Sequence, residues 1–155
     1  MESAIKRHKR HMALATAALL VPLAVACGTQ KADSGAVVVQ EPVTGIEWRV
    51  VSVTAGGTTH RAPAPARLRI DEEGGAAGNL GCNTFSAPAT VQGDRITFGG
   101  LRTTKMACDS ARMAFERILA GALGGQTLTG TTVDGTLTLT NSHGDRVSLT
   151  RSTPD

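Results

Sequence analysis

Gly78-Asn79-Leu80-Gly81-Cys82-Asn83-Thr84-Phe85 and Thr103-Thr104-Lys105-Met106-Ala107-Cys108 are the two stretches around which the chain is organised. A turn, a strand-like run and a glycine turn lie between them, and a helical pattern follows at once. A bond between Cys82 and Cys108 would fix this reversal of the chain onto that helix. In an oxidising compartment the two form a natural pair. The competing reading keeps them as reactive thiols.

The helix is expected from Asp109 or Ser110, either of which supplies an N-cap oxygen, to Ala122. Ala111, Ala114, Phe115, Ile118, Leu119 and Ala122 recur at three- and four-residue steps and define the packing face. Arg112, Glu116 and Arg117 fall away from it, and Gly124-Gly125 stops the helix. Met106 and Met113 read as core fillers rather than metal ligands.

Downstream, Leu128 to Val133 and Thr136 to Thr140 flank Asp134-Gly135, the strongest hairpin signal in the chain. A turn over Asn141-Ser142-His143-Gly144-Asp145 leads to a final strand, Arg146 to Thr150. Leu137, Leu139, Val147 and Leu149 are expected inward, with the threonines and serine toward water.

Upstream, Ile46 to Val53 alternates as a strand, with Ile46, Trp48, Val50 and Val53 turned inward. Trp48, the single tryptophan, reads as a core anchor. Ala55 to Ala66 carries Gly56-Gly57 and Ala62-Pro63-Ala64-Pro65 and reads as a loop holding His60. Leu68 and Ile70 mark a short strand, and Asp71-Glu72-Glu73-Gly74-Gly75 its turn. Those three acids lack the alternating ligands and closing glutamate of a calcium loop. Ala76 to Phe85 reads as one strand. Asn83 has an amide suited to capping an open strand end or turn. Pro88 argues against a long continuous strand there. Gly93-Asp94 is a hairpin turn between Ala89-Thr90-Val91 and Arg95-Ile96-Thr97-Phe98.

One helix among seven or eight short strands gives an α+β domain, a strongly curved, barrel-like antiparallel sheet packed on the helix. With Trp48, Phe85, Phe98 and Phe115 as its only aromatics, the core is lean. A disulfide across this loop would add about 3–4 kcal/mol in the chain-entropy model.

The first residues have a different character. Lys6-Arg7-His8-Lys9-Arg10-His11, an apolar run from Met12 to Ala26, and Cys27 form the layout of a secretory signal peptide over residues 1–26. The run contains Pro22 and falls short of the ~20 residues of a membrane span. Its charged residues (Lys6, Arg7, Lys9 and Arg10 against Glu2) account for the whole formal charge of +3. The rest of the chain is neutral, so the basic pI gives no support to a nucleic-acid partner.

Leu23-Ala24-Val25-Ala26-Cys27 resembles the lipobox of bacterial lipoproteins, in which the cysteine is acylated (a palmitate-type chain) and becomes the new N-terminus. Ala24-Val25-Ala26 also satisfies an ordinary A-x-A site that would release a soluble protein. An odd cysteine in an exported chain favours acylation at Cys27. Residues 27–44, small and polar around Val37-Val38-Val39, then read as a flexible tether, with a first strand on the valines as the alternative. The folded domain is expected over residues 45–152.

No catalytic set emerges. His60 and His143 are the only histidines past the leader, no G-x-S-x-G elbow is present, and no C-x-x-C stands in the chain. Zinc spacings, phosphate loops and dinucleotide fingerprints are missing as well.

Trp48 on the opening strand, Gly81-Cys82-Asn83, Thr104-Lys105-Met106-Ala107-Cys108, the following helix and the closing L-x-L hairpin together resemble the META, or HslJ-like, domain family. The resemblance covers about Gly45 to Arg151. It departs at Ala87-Pro88-Ala89, where relatives often carry a glycine and a tyrosine. It departs again early in the helix, where Arg112 or Met113 stands near a common glutamate and Glu116 comes later. The resemblance implies a compact sheet-and-helix domain of exported bacterial proteins, linked to envelope stress, drug tolerance or secretion, with no established reaction. The expectation is thus an exported, non-catalytic lipoprotein on the extracytoplasmic side of a cell membrane, monomeric and without metal or cofactor. Its partner would be a protein or a small molecule. The alternative is a small secreted hydrolase or thiol-redox protein using Cys82 or Cys108.

Overall fold

The computed structural model describes residues 41–153. The elements in chain order are β1 (Glu47–Ala55), β2 (Thr58–Arg61), β3 (Arg67–Ile70), β4 (Gly75–Asn79), β5 (Thr84–Gln92), β6 (Arg95–Phe98), β7 (Arg102–Thr103), α1 (Ser110–Leu123), β8 (Thr127–Val133), β9 (Thr136–Thr140) and β10 (Arg146–Arg151). The expected signal peptide, Cys27 and the tether up to residue 40 lie outside the described residues.

Every strand pairing is antiparallel, in the order β10-β9-β8-β6-β5-β4-β3-β1, and β10 pairs back onto β1. Eight strands therefore close a barrel, with β2 and β7 as short additions. Closure removes the open sheet edges that would otherwise offer unpaired amides to another chain. The expected strongly curved sheet packed on one helix is the architecture found.

Alternation fills the barrel. Trp48, Val50 and Val53 from β1, Leu68 and Ile70, Phe85, Ile96 and Phe98, Leu128, Leu137 and Leu139, and Val147 and Leu149 are all buried. The register between β1 and β10 shifts between Val50 and Ser52. That bulge lets Val50 and Val53, three residues apart, both point inward. Trp48 is fully buried and its indole N–H donates to the Val43 carbonyl at 2.9 Å, so the core reaches back to Val43. Leu119, Leu123, Phe115 and Ala122 of α1 join the same core.

Two strands, β1 and β5, each have one side shared by two shorter neighbours. β1 holds β3 along Glu47–Arg49 and β2 along Ser52–Ala55. β5 holds β7 at Phe85–Ser86 and β6 along Ala89–Gln92.

These arrangements correct several expectations. Ala55 to Ala66 is not one loop, because Thr58–Arg61 forms β2 after the Gly56-Gly57 turn. His60 therefore stands on a strand, opposite Val53. Thr-Thr-His-Arg has no apolar residue to announce a strand, and its pairing to β1 supplies what its pattern lacks. Ala76 to Phe85 is not one strand either, since it reverses through Leu80-Gly81-Cys82-Asn83 between β4 and β5. The expected break at Pro88 does not occur, and β5 runs through it. Pro88 lies opposite Gly99, in the gap between β6 and β7, and accepts from the Gly99 N–H at 2.9 Å. Its ring occupies the space a Cβ on Gly99 would need. The amide that proline lacks thus falls where pairing is already interrupted.

Candidate functional site

The Gly81-Cys82-Asn83 reversal, the Thr104–Cys108 segment and α1 meet in the densest polar cluster of the described residues. α1 begins where Asp109, in extended conformation, accepts from the Arg112 N–H at 3.0 Å. One turn on, Glu116 turns its carboxylate toward the reversal. It accepts from the Asn83 backbone N–H at 2.6 Å and from the Asn83 side-chain amide at 2.8 Å. The expectation that Glu116 points away from the packed face is therefore corrected. Its carboxylate supplies charge-assisted bonds where the chain turns.

Asn83 is only 2% exposed. Its carbonyl oxygen accepts from the Thr104 hydroxyl at 2.8 Å and the Met106 N–H at 2.6 Å. The remaining amide proton reaches the Met106 carbonyl at 3.3 Å. A carboxylate only accepts and a backbone N–H only donates, so the orientation of this amide is fixed by its neighbours. All four of its hydrogen-bonding positions are taken.

The reversal is held from other sides too. Gly81 adopts a φ of 107°, open to glycine and not to side-chain-bearing residues. Its carbonyl accepts from Arg112 Nε at 2.8 Å, and its N–H donates to Asn79 Oδ1 at 2.7 Å. Cys82 and Cys108 are disulfide-bonded with Cα atoms 6.0 Å apart, closing a loop of sequence separation 26.

The residues singled out from the sequence therefore divide. Gly81, Cys82, Asn83, Thr104, Met106 and Cys108 come together in one knot, while Trp48 stands in the barrel core. Met106 contributes only its backbone. The residue is 61% exposed, which corrects its reading as a core filler. The main chain of Met106 must face Asn83, and that turns the thioether outward. Cys27 lies outside the described residues. Sequence reasoning missed Glu116 as the partner of Asn83. A glutamate nearly two turns into a helix that a disulfide pins against Gly-Cys-Asn was the available sign.

Among the described residues, no group of three or more His, Cys, Asp or Glu side chains is placed to hold a metal ion. His60 lies on β2 and His143 in the β9–β10 turn, and neither belongs to such a group.

A second polar feature lies on the outside of the barrel. Arg95, Thr127, Thr129, Thr131, Thr140, Asn141 and Ser142 line a cleft of about 620 Å³ over β6, β8 and the end of β9. Its rim is the β9–β10 turn. There the buried Asn141 accepts through Oδ1 from the N–H groups of His143 (2.9 Å) and Asp145 (3.0 Å). It donates through Nδ2 to Asp145 Oδ2 at 3.2 Å. Asp145 also accepts from the Gly56 N–H at 3.1 Å, joining this turn to the β1–β2 turn. The Asn141 amide first, then the Gly56 N–H, holds the Asp145 carboxyl below the usual carboxylate range. Partial desolvation opposes this, and His143 adds a small attraction.

Comparison with known proteins reaches the fold and the family. The chain matches the model of the META domain over residues 41–154. No curated relative matches it. It is similar to a protein from Burkholderia xenovorans solved by NMR (TM-score 0.61, 24% identity, 72% of this chain and 85% of that one). A second NMR structure aligns at TM-score 0.54 and 17% identity, covering 70% of this chain and 90% of that one. A DUF4847 family protein from Bacteroides vulgatus aligns at TM-score 0.52 and 12% identity, covering 75% of this chain and 99% of that one. These likenesses are of fold.

Proposed function

Since the chain belongs to the META domain family, we propose that it is an exported, lipid-anchored envelope protein whose domain binds rather than catalyses. The observation that carries this reading is the Cys82–Cys108 disulfide. A structural disulfide in a small domain suits an oxidising compartment outside the cytosol. It also occupies both thiols that a thiol-redox or hydrolytic alternative would use. Cys27, at the end of the apolar run, is then the one cysteine without a pairing role, and acylation is the chemistry its position suits.

In this reading the membrane is held through Cys27 on the extracytoplasmic side, and the tether that follows it ends before Glu41 and Val43, which pack on the domain. The polar knot around Asn83 serves the fold, because its donors and acceptors are consumed internally. Binding of a protein or a small molecule falls to the outer surface of a monomeric domain. A contribution to envelope stress tolerance follows from the family likeness.

The test is the intact mass of the protein isolated from its native membrane, with and without reduction and alkylation. The expected mass begins at Cys27, carries acyl chains, and gains two alkyl labels only after reduction. An unacylated mass would sink the anchor. Labelling before reduction would sink the disulfide and return the thiol enzyme to first place.

A further inference from the structure

We propose that the outer face formed by β6, β8, β9 and β10 binds an anionic, hydroxyl-rich glycan, a sugar or polyol chain bearing phosphate or carboxylate groups. The proposal rests on the reading of the domain as a binding module and supplies its ligand class. The strand register sets Arg95 opposite Thr129, Thr129 opposite Thr140, and Thr140 opposite Arg146. A single row across four strands thus reads Arg-Thr-Thr-Arg. Strands lie about 4.8 Å apart, so the two arginines are set on the order of 14 Å apart at the backbone. The neighbouring row is Thr131, Thr138 and Ser148.

Exposed threonine is a common filling for a half-buried strand, and that explains the hydroxyls taken alone. It does not explain the charges. Arg67 pairs with Glu47, Arg69 with Asp71 and Arg151 with Glu41. Arg95 and Arg146, like Arg49, Arg61, Arg102 and Arg117, have no ion-pair partner among the described residues, but these two share one row of a face whose strands RITF, TLTGTTV, TLTLT and RVSLTR contain no acid. The nearby acids, Asp94, Asp134 and Asp145, are in turns, and Asp145 is engaged by Asn141 and Gly56.

A guanidinium presents forked donors to phosphate or carboxylate, and hydroxyls both give and accept bonds as sugar hydroxyls do. The cleft of about 620 Å³ supplies concavity of ligand-site size. The Asn141 lattice holds its rim rigid, which lowers the ordering cost of binding. A nucleic acid fits less well, since these four strands present no aromatic side chain to the outside for base stacking. A protein partner fits less well too, for want of an apolar anchor beyond Val133 at the hairpin tip.

The test is calorimetric titration of the full-length protein, purified from its host, at near-physiological salt. The probes are a ribitol-phosphate oligomer, an oligogalacturonate, neutral dextran and single-stranded DNA. Binding of one or both anionic glycans, at least about tenfold tighter than dextran or DNA, is expected. Arg95→Ala and Thr129→Val should each weaken it about tenfold. Thr129→Ser, which keeps the hydroxyl, and Arg102→Ala, outside the cleft, should bind as wild type does. Melting temperatures identify any variant that fails to fold, and Arg95→Lys then replaces Arg95→Ala, with weakened binding expected.

Absence of binding to both anionic glycans overturns the proposal. So does equal binding of DNA, or unchanged affinity in folded Arg95 and Thr129 variants. Mass analysis of the recovered glycan separates the two readings. Cleaved glycan would sink the non-catalytic function and leave the binding face standing, whereas intact glycan without binding would sink the face alone.

Discussion

Asn83 has no spare hydrogen-bonding capacity, and that makes it the least replaceable polar residue of the domain. Removing its amide strands the Met106 N–H, the Thr104 hydroxyl and part of the Glu116 carboxylate in a half-closed space. Unpaired groups of this kind cost about 1–3 kcal/mol each. Asn83→Ala is therefore expected to destabilise the domain by about 2–4 kcal/mol in denaturant unfolding. Glu116→Gln should cost less, about 1–2 kcal/mol, because one amide oxygen still accepts while its new N–H₂ faces a donor. A milder loss in Asn83→Ala than in Glu116→Gln would contradict this hierarchy. Asp145 gives a pH prediction at the same scale. Its carboxyl titrates below its unfolded value of about 3.9. The stability it contributes is full above that value and is lost as pH falls through its lower folded value. Melting temperature followed from pH 5 down to pH 2 should fall more steeply in wild type than in Asp145→Asn. Parallel curves would remove Asp145 from the acid response.

At the scale of elements, the β3–β4 pair depends on one missing side chain. A Cβ on Gly78 would run into the Arg67 backbone carbonyl and sit 3.0 Å from Phe85 Cε1. Backbone cannot yield as a flexible side chain can, so Gly78→Ala should cost about 1–3 kcal/mol or more. A variant within 0.5 kcal/mol of wild type, roughly the range of ordinary surface changes, would contradict that tight approach. What the sequence could and could not announce also divides by element. The Asp134-Gly135 turn was legible because both residues adopt positive φ, 49° and 72°, as that hairpin type requires. The helix was legible from its cap, its apolar spacing and Gly124. β2 was not, since its stability comes from a partner rather than a pattern. Pro88 misled because the rule that proline ends a strand assumes neighbours along the whole strand, and β5 changes neighbours at that residue. Glu116 and Met106 misled in opposite directions, a charge turned in and a thioether turned out, because the polar knot outranks helical periodicity at Glu116 and claims the main chain of the segment before the helix at Met106.

At the scale of the whole molecule, one covalent bond and one closed ladder divide the task of holding the chain. The disulfide ties the reversal to the segment that enters α1, and the chain-entropy model gives about 3–4 kcal/mol for such a loop. Cys82→Ser and Cys108→Ser should therefore destabilise nearly equally, with the double variant no worse than either single one. Additive losses in thermal unfolding would argue against a shared bond. The fold was legible at this scale from strand count, hairpin signals and the single helix. The candidate binding face was not, because its row of arginines and threonines is assembled from four strands that only the register aligns.

The pairing of β1 with β10 has a consequence in time. β10 spans Arg146–Arg151, and β1 begins at Glu47, so the seam joins the first strand of the domain to the last. As the chain emerges, every ladder of the barrel except the two that β10 makes, with β9 and with β1, can form before the final strand appears. β1 must wait, with the side that will receive β10 unpaired, until nearly the whole chain has emerged. Folding of this domain is thus completed at its end rather than along the way. A chain cut short by a dozen residues would be left as an open sheet offering its first strand to any neighbour.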